Sequence, residues 1–527
     1  MSLEEKSAFS NVVYEVVVVG GGVAGTSAAY RLNKVLSKND DPGDERSADQ
    51  LELQGGSGGV GNGCKVLLME AKERLGGRTL TEKVNVEGGQ ELFDLGGQWI
   101  GRTQHHILWL MKELGLEYYE QYTAGSKFLR LSDGKIRKYS SSLPKLSFVG
   151  LLDLGSVMMQ INRMAKKVPP DDPRKCKQAE EWDSITVSTF LKKNMWTKEA
   201  HESLEIAISI IFGTTPKELS LLYFLHIASA AGGCEALVET AKGGAQEFRI
   251  RGGAQQISEV IAEKIGSVNV WLGEPVKLID QSNEEFVTVV TESGKEVKTK
   301  YVIVSAPIHC VENIVFKPSL PMDRHFLAQR MPVGHLLKFI VTYKKAFWRE
   351  AGLSGEIVSL GGGPVIDGCD TGPIQVVYDA VTDNGAPALV GFFASSRQWR
   401  KIEVSVRRKE VVKRLVEFFG PQGGDIIDYA DKDWSEEPYN GGCPINIMTT
   451  GAITLFHDAL RKPFDRVHWA GTETATVWFG YLSGAVQTGL RAADEILNRI
   501  DPSLTQDGLL KSLDNKSLVP TDTIGQV

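Results

Sequence analysis

Val16-Val17-Val18-Val19-Gly20-Gly21-Gly22-Val23-Ala24-Gly25 sets four valines ahead of a glycine turn that opens into a run of small residues. The β-branched content predicts a buried strand over Val13–Val19 and a helix over Ala24–Leu36. In this G-x-G-x-x-G spacing, Gly20 permits the tight turn and Gly22 lets the backbone approach a pyrophosphate. Gly25 lets helix and strand pack closely, and N–H groups at the helix start, around Ala24, are placed to hold phosphates. Alone the pattern is weak, because any glycine turn can match it. With its flanking strand and helix it predicts a Rossmann-type dinucleotide-binding fold of the α/β (mixed α+β) class.

Such a motif expects an acid about 20 residues past the turn, yet Glu70 lies 45 past Gly25. The segment Asn39 to Gly63, rich in Gly, Ser, Asp and Glu, explains the gap. It reads as a low-complexity mobile surface insertion, and its length costs little because closure entropy grows only logarithmically. Lys65–Met69 is then the second buried strand, and Glu70 is placed to accept hydrogen bonds from ribose hydroxyls. The alternative is a surface carboxylate that merely ends a strand. Arg74-Leu75-Gly76-Gly77-Arg78 follows Glu70-Ala71 directly and suits a second backbone approach, with Arg78 available to balance phosphate charge. Asp94-Leu95-Gly96-Gly97-Gln98-Trp99 repeats the style.

The carboxyl end supplies a matching half. Asn440-Gly441-Gly442-Cys443 precedes Trp469-Ala470-Gly471-Thr472-Glu473-Thr474, which runs into a helix from about Tyr481. A dinucleotide gripped by both ends of a chain points to a flavin. Together these motifs resemble the flavin-containing amine oxidases, with the monoamine oxidases as the nearest branch. The resemblance runs from about Val13 to about Arg499, apart from the insertion.

This resemblance implies FAD as cofactor and an oxidative deamination of a primary or small secondary amine by O2 to aldehyde, ammonia and H2O2. It implies cofactor contacts from Gly20, Gly22, Ala24, Gly25, Glu70, Ala71, Gly77, Arg78, Gly97, Gln98, Trp99, Val276, Trp434, Gly471, Glu473 and Tyr481. Cys443 matches the flavin-attaching cysteine, and Gly441 and Gly442 would let it come close; a buried, inert thiol is the competing reading. Lys338, in the apolar stretch Leu336–Val341, matches a lysine thought to hold a water near flavin N5 and assist reaction with oxygen. The competing reading is a lysine snorkelling from an edge strand. Tyr481 matches one of two tyrosines that flank the substrate amine, but Pro444 stands where the second would be. The cage therefore lacks a wall unless Trp434 or Phe479 supplies it. Val238 and Gln246 match the substrate-cavity segment, with Ala245 inserted there. The helix start near Leu482 would turn its positive end toward the flavin. Oxidation of an L-amino acid, a polyamine or a non-amine on the same fold, and a flavin-bearing binding protein without turnover, are the rival readings.

With 527 residues the chain is too long for one core. FAD-binding parts are expected at 12–100 (with 39–63 as the insertion), 241–310 and 426–500. Substrate-domain parts are expected at 101–240, mainly helical, and 311–425, with 501–527 as a loose polar tail. A net charge of −7 without a Lys/Arg cluster argues against nucleic acid or anionic membrane as the main partner. Six scattered cysteines give no CxxC pair, and His105, His106 and His457 show no metal spacing and read as surface or core. No metal is expected. No signal peptide or membrane span is apparent, so a soluble cytoplasmic protein is expected, with a homodimer as one assembly open to it.

Overall fold

The computed structural model describes residues 12–37, 65–141, 143–240 and 242–516, so the Asn39–Gly63 insertion lies outside the described residues. Val13–Val19 forms the middle of an eight-stranded sheet, pairing in parallel with Val66–Met69 on one side and Glu296–Val304 on the other. On its side away from Val13–Val19, the long strand Glu296–Val304 is shared by two further neighbours. Its first half pairs with the hairpin partner Val287–Thr291, and its second half pairs in parallel with Val467–Trp469 near the carboxyl end. Val276–Asp280 and Val315–Lys317 complete that edge. At the opposite edge the strand Val270–Trp271 is only two residues long, because Ser267–Asn269 before it winds into a 3-10 turn.

Helix Val23–Leu36 lies on this sheet and is crossed by the final helix, Leu482–Ile500. The approach is close enough that a Cβ on Gly489 would sit 2.3 Å from the Ala24 carbonyl oxygen. Gly25 is equally constrained, since a Cβ there would sit 1.9 Å from the Gly20 carbonyl oxygen. Any larger residue would push the helix off its own strand.

A seven-stranded sheet forms the second layer, in the order Ile426–Asp433, Leu337–Tyr343, Ala388–Phe393, Ile374–Asp379, Leu353–Ser359, Ser126–Arg130 and Ile136–Tyr139. Helices Phe148–Ala165, Val187–Asn194, Lys198–Phe212 and Leu221–Ala230 share one apolar core beside it. Trp99–Ile100, Tyr118–Glu120 and Phe248–Ile250 form a small three-stranded sheet between these parts.

The loose tail expected from Asp501 is ordered as far as Lys516. Leu509–Lys516 is a helix that buries Leu513. Asp507 pairs with the buried Arg31 guanidinium, and Asp514 accepts from Gln487 Nε2 at 3.0 Å. The spacing of Leu509, Leu510 and Leu513 carried that helix, masked by polar neighbours. His105, His106 and His457 are buried. Among the described residues no helix is long and apolar enough to cross a membrane.

Candidate active site

The two ends of the chain meet around a cavity of about 340 Å³. Gly20, Gly22 and Ala24 line it from the first turn, and Glu70, Ala71, Gly77 and Arg78 from the second. Gly97, Gln98 and Trp99 contribute the third turn, while Val276, Trp434, Cys443, Gly471 and Tyr481 close the remainder. Gly25 and Glu473, expected to touch the cofactor, stand behind this lining; Gly25 is spent on packing against Gly20. Gln246 lines the cavity and Val238, on the short helix Cys234–Val238, does not.

Two features fit these walls to a dinucleotide. At Gly22 and Gly97 a Cβ would meet no protein atom nearer than 3.8 and 3.9 Å, so neither glycine is required by the protein's own packing. They leave room for something lying against the backbone. Helix Val23–Leu36, capped at Gly22 without a side-chain acceptor, also keeps its first N–H groups available. Glu70 is buried at the cavity edge, its Oε2 accepting from Gly21 N–H at 2.6 Å and its Oε1 from Lys72 N–H at 2.9 Å. The carboxylate thus clamps the glycine turn as well as facing the cavity.

Arg78 is already matched. Its guanidinium donates to both oxygens of Glu473, at 3.0 Å for Nη2, and to the Pro444 carbonyl at 2.8 Å. Burial raises the Glu473 pKa, but Arg78 outweighs it and holds the carboxyl below its usual range. The charge that the sequence offered to a pyrophosphate is therefore committed to an internal bidentate pair.

Lys338 lies in an interior strand, paired opposite Phe392 on one side and Lys432 on the other. The edge-strand reading is thereby overturned. The side chain is 2% exposed, and its Nζ donates to Gly96 O at 2.8 Å and Gln98 Oε1 at 2.6 Å. Burial pushes the ammonium down to about 7, against the pull of nearby Asp94. The Gln98 amide nitrogen on the same wall is buried with no hydrogen-bond partner.

Cys443 is positioned by a backbone clasp: its N–H donates to Gly334 O at 3.0 Å, and Gly334 N–H donates to Ile445 O at 3.0 Å. Gly442 makes this possible with a φ of +156°, where a Cβ would fall 2.4 Å from Gly334 O. Burial pushes the thiol up to about 12, while Arg78 and Lys338 pull it down. The glycines therefore bring the sulfur to the wall and two cations stand near it.

Tyr481 caps the final helix and packs edge-on against Trp478, with ring centroids 5.1 Å apart. Leu482 and Ala485, in that helix's first turn, also line the cavity. Opposite the missing tyrosine, neither expected substitute is free to swing. Trp434 Nε1 is tied to Leu95 O at 2.9 Å, and Phe479 is wedged edge-on against Tyr223 and His226. Ile210, Ile211, Phe392 and Ile445 supply apolar surface instead.

One cluster escaped the sequence reading. Glu437 accepts from Lys72 at 3.1 Å, from Lys432 at 2.5 Å and from Arg74. Burial raises its pKa, but these cations outweigh it and hold the carboxyl at about 2. Lys72 donates further to Asn440 Oδ1 at 2.5 Å. The turn after Glu70 is thereby stapled to the loop that carries Cys443. Its only signal in the sequence was a row of charges beside glycine turns, which reads as solvated surface.

The pattern of the flavin containing amine oxidoreductases matches residues 23–497. The chain is 33% identical over 494 residues to the probable flavin-containing monoamine oxidase A of Dictyostelium discoideum, spanning 93% of this chain and 99% of that protein. It is 33% identical over 519 residues to the flavin-containing amine oxidase B of Homo sapiens, spanning 97% and 91%. The structure of cyclohexylamine oxidase from Brevibacterium oxydans superposes with a TM-score of 0.80 at 28% identity, covering 93% of this chain and 100% of that one. Putrescine oxidase bound to putrescine gives a TM-score of 0.81 at 24% identity over 93% and 100%, a likeness of fold.

Proposed function

This chain belongs to the flavin-containing amine oxidoreductase family, and on that premise we propose that it oxidises a neutral primary or small secondary monoamine with O2 to aldehyde, ammonia and H2O2. The protein is a flavin amine oxidase of the monoamine oxidase type, with FAD as its cofactor. When bound, the flavin supplies the two-electron chemistry, accepting a hydride equivalent from the carbon beside the amine nitrogen and returning the electrons to O2.

The observation that carries the reading is the convergence of Lys338, Gln98, Cys443 and Tyr481 on one cavity, beside the apolar surface of Ile210, Ile211, Phe392 and Ile445. Ile210, Ile211, Phe392 and Tyr481 exclude water and favour the uncharged amine, whose lone pair the reaction requires. Gln98 and Lys338 form a polar pair beside Phe392, whose ring centroid lies 5.8 Å from the Lys338 Nζ. With its pKa near neutrality, the Lys338 ammonium can hold or release a proton at working pH. Gly22, Ala24, Glu70 and Val276 would hold the nucleotide half, and Cys443 would carry a thioether to the flavin.

The lining also bears on rival substrates. Arg78, the one arginine lining the cavity among the described residues, is occupied by Glu473, so an amino acid's carboxylate has no unclaimed guanidinium. Glu70, Glu274 and Glu292 cluster through Glu274 N–H to Glu70 O and Glu292 N–H to Pro275 O, around Val276. Among the described residues these three are the only acids lining the cavity, so a diamine's second ammonium finds no carboxylate beside Tyr481. Peroxide release from phenethylamine, putrescine and L-leucine measured in parallel tests this: phenethylamine should lead, and turnover of leucine alone would overturn it. For the attachment, acid precipitation should retain yellow colour in the pellet and lose it in Cys443→Ser. Free FAD in the wild-type supernatant would refute the thioether.

A further inference from the structure

Behind Trp99 lies a second cavity, of about 360 Å³, lined by Tyr119, Gln121, Tyr122, Arg249, Arg349 and Thr382 among others. Gln121 forms the partition between the two spaces. Its Oε1 accepts from Trp99 Nε1 at 2.9 Å, and its Nε2 donates to Asp379 O at 2.9 Å. The two arginines differ in how they are balanced. Arg349 donates to both oxygens of Asp379, at 2.7 Å each, and its guanidinium stacks 3.9 Å from the Tyr122 ring centroid. Asp379 is fully used, since it also accepts from Trp348 Nε1 at 2.8 Å and Val381 N–H at 3.0 Å.

Arg249 has no such partner. It is 5% exposed, and its guanidinium makes one hydrogen bond, from Nη1 to Val381 O at 3.0 Å. Its Nε is buried without an acceptor, and no carboxylate lies within 4.0 Å of it among the described residues. The nearest aromatic support is the Tyr119 ring, 5.3 Å away. The buried Asp94 carboxylate acts on Arg249 only from beyond ion-pair distance; a buried guanidinium without a direct ion pair carries a desolvation cost, and anion binding is a direct way to offset it. The other acidic lining residue, Glu120, is exposed and so screened by solvent. Donors for an anion are at hand. The Thr382 hydroxyl accepts from Ala386 N–H at 3.1 Å, leaving its own proton to donate, and burial keeps the Tyr119 phenol protonated, with its pKa pushed up to about 12. Arg249 is held in place because it pairs with Trp99 and Tyr119 in the small sheet.

We propose that this second cavity is a binding site for a small anion, inorganic or carboxylate, held by Arg249 with Tyr119 and Thr382. The chemistry needed is one negative charge with several acceptor lone pairs, small enough to sit beside the partition. Chloride, phosphate and acetate share it.

The test uses the flavin-loaded, full-length protein and reads binding, independent of amine turnover. Thermal unfolding is followed against chloride, phosphate and acetate at constant ionic strength, balanced with a bulky sulfonate salt. At least one anion should raise the midpoint saturably, by roughly 1–3 °C. Arg249→Gln should abolish the saturable part and Arg249→Lys should keep some of it. ³⁵Cl line broadening on the wild type, competed by phosphate or acetate, gives a second readout should Arg249→Gln fail to fold. A response unchanged in Arg249→Gln, or no saturable response and no broadening in the wild type, would overturn the proposal.

Discussion

Replacing Lys338 with Met keeps the volume of the side chain but removes its charge, and the consequence follows from where the lysine sits. The wild-type ammonium is 2% exposed and titrates near 7 instead of 10.5. A displacement of that size corresponds to roughly 5 kcal/mol between the protonation states. The unfolded chain binds the proton more tightly than the folded one, so stability rises with pH through the window from about 7 to 10.5. Below 7 both states carry the proton and the full cost of burying the charge is present. By pH 9 most of that cost is gone. Lys338→Met should therefore stabilise the protein most at pH 6, and its advantage should shrink by roughly 3 kcal/mol between pH 6 and pH 9. Loss of the hydrogen bonds to Gly96 and Gln98 subtracts a pH-independent amount and leaves the slope untouched. Urea unfolding midpoints of wild type and variant across that range measure the difference. Parallel curves would show that the lysine is not held down by burial, and the reasoning about its proton would fail.

Arg78→Ala should leave the Glu473 carboxylate buried and unpaired, costing about 3–5 kcal/mol and lowering the flavin-to-protein ratio; calorimetry and absorbance on the same sample check both. Gly442→Ala should lift the Cys443 loop from Gly334 and reduce the acid-stable flavin fraction at least several-fold, even in protein that still binds FAD. Glu70→Ala, which unclamps the Gly21 and Lys72 N–H groups, should weaken FAD retention on gel filtration by tenfold or more, about 1.4 kcal/mol. Pro444→Tyr should raise kcat/KM for phenethylamine by supplying the missing aromatic wall; an unchanged or lower value would show that the apolar wall of Ile210 and Ile445 already does its work.

The nucleotide half of this protein was legible because its strands are short, buried on both faces and rich in valine, so composition alone marks them. Val13–Val19 was placed to the residue. The second sheet was harder. Ile426–Asp433 carries four acidic or basic residues and is half-buried along its length, which hides any two-residue alternation. Helix Leu221–Ala230 is apolar all round, so it has no period to read. Within the site, the glycine turns announced the cavity, but the sequence could not tell a lining residue from one a layer behind it. Glu473 and Gly25 sit in that second layer, and the carboxylate of Glu437 gathers cations from segments hundreds of residues apart. Such a hub is a product of folding and has no local signature.

Strand Val13–Val19 and the strand Val467–Trp469 both lie against Glu296–Val304, and helix Leu482–Ile500 crosses the first helix at Ala24. A ribosome that has released four hundred residues has thus exposed the glycine turn and its strand, but no residue of the cysteine loop or the closing helix. Before Val467–Trp469 and Leu482–Ile500 emerge, the valine strand's sheet lacks a neighbour and the cradle lacks a lid. Cofactor loading must then follow synthesis of Val467–Trp469 and Leu482–Ile500, and until that point the waiting amino-terminal half is exposed to misassociation.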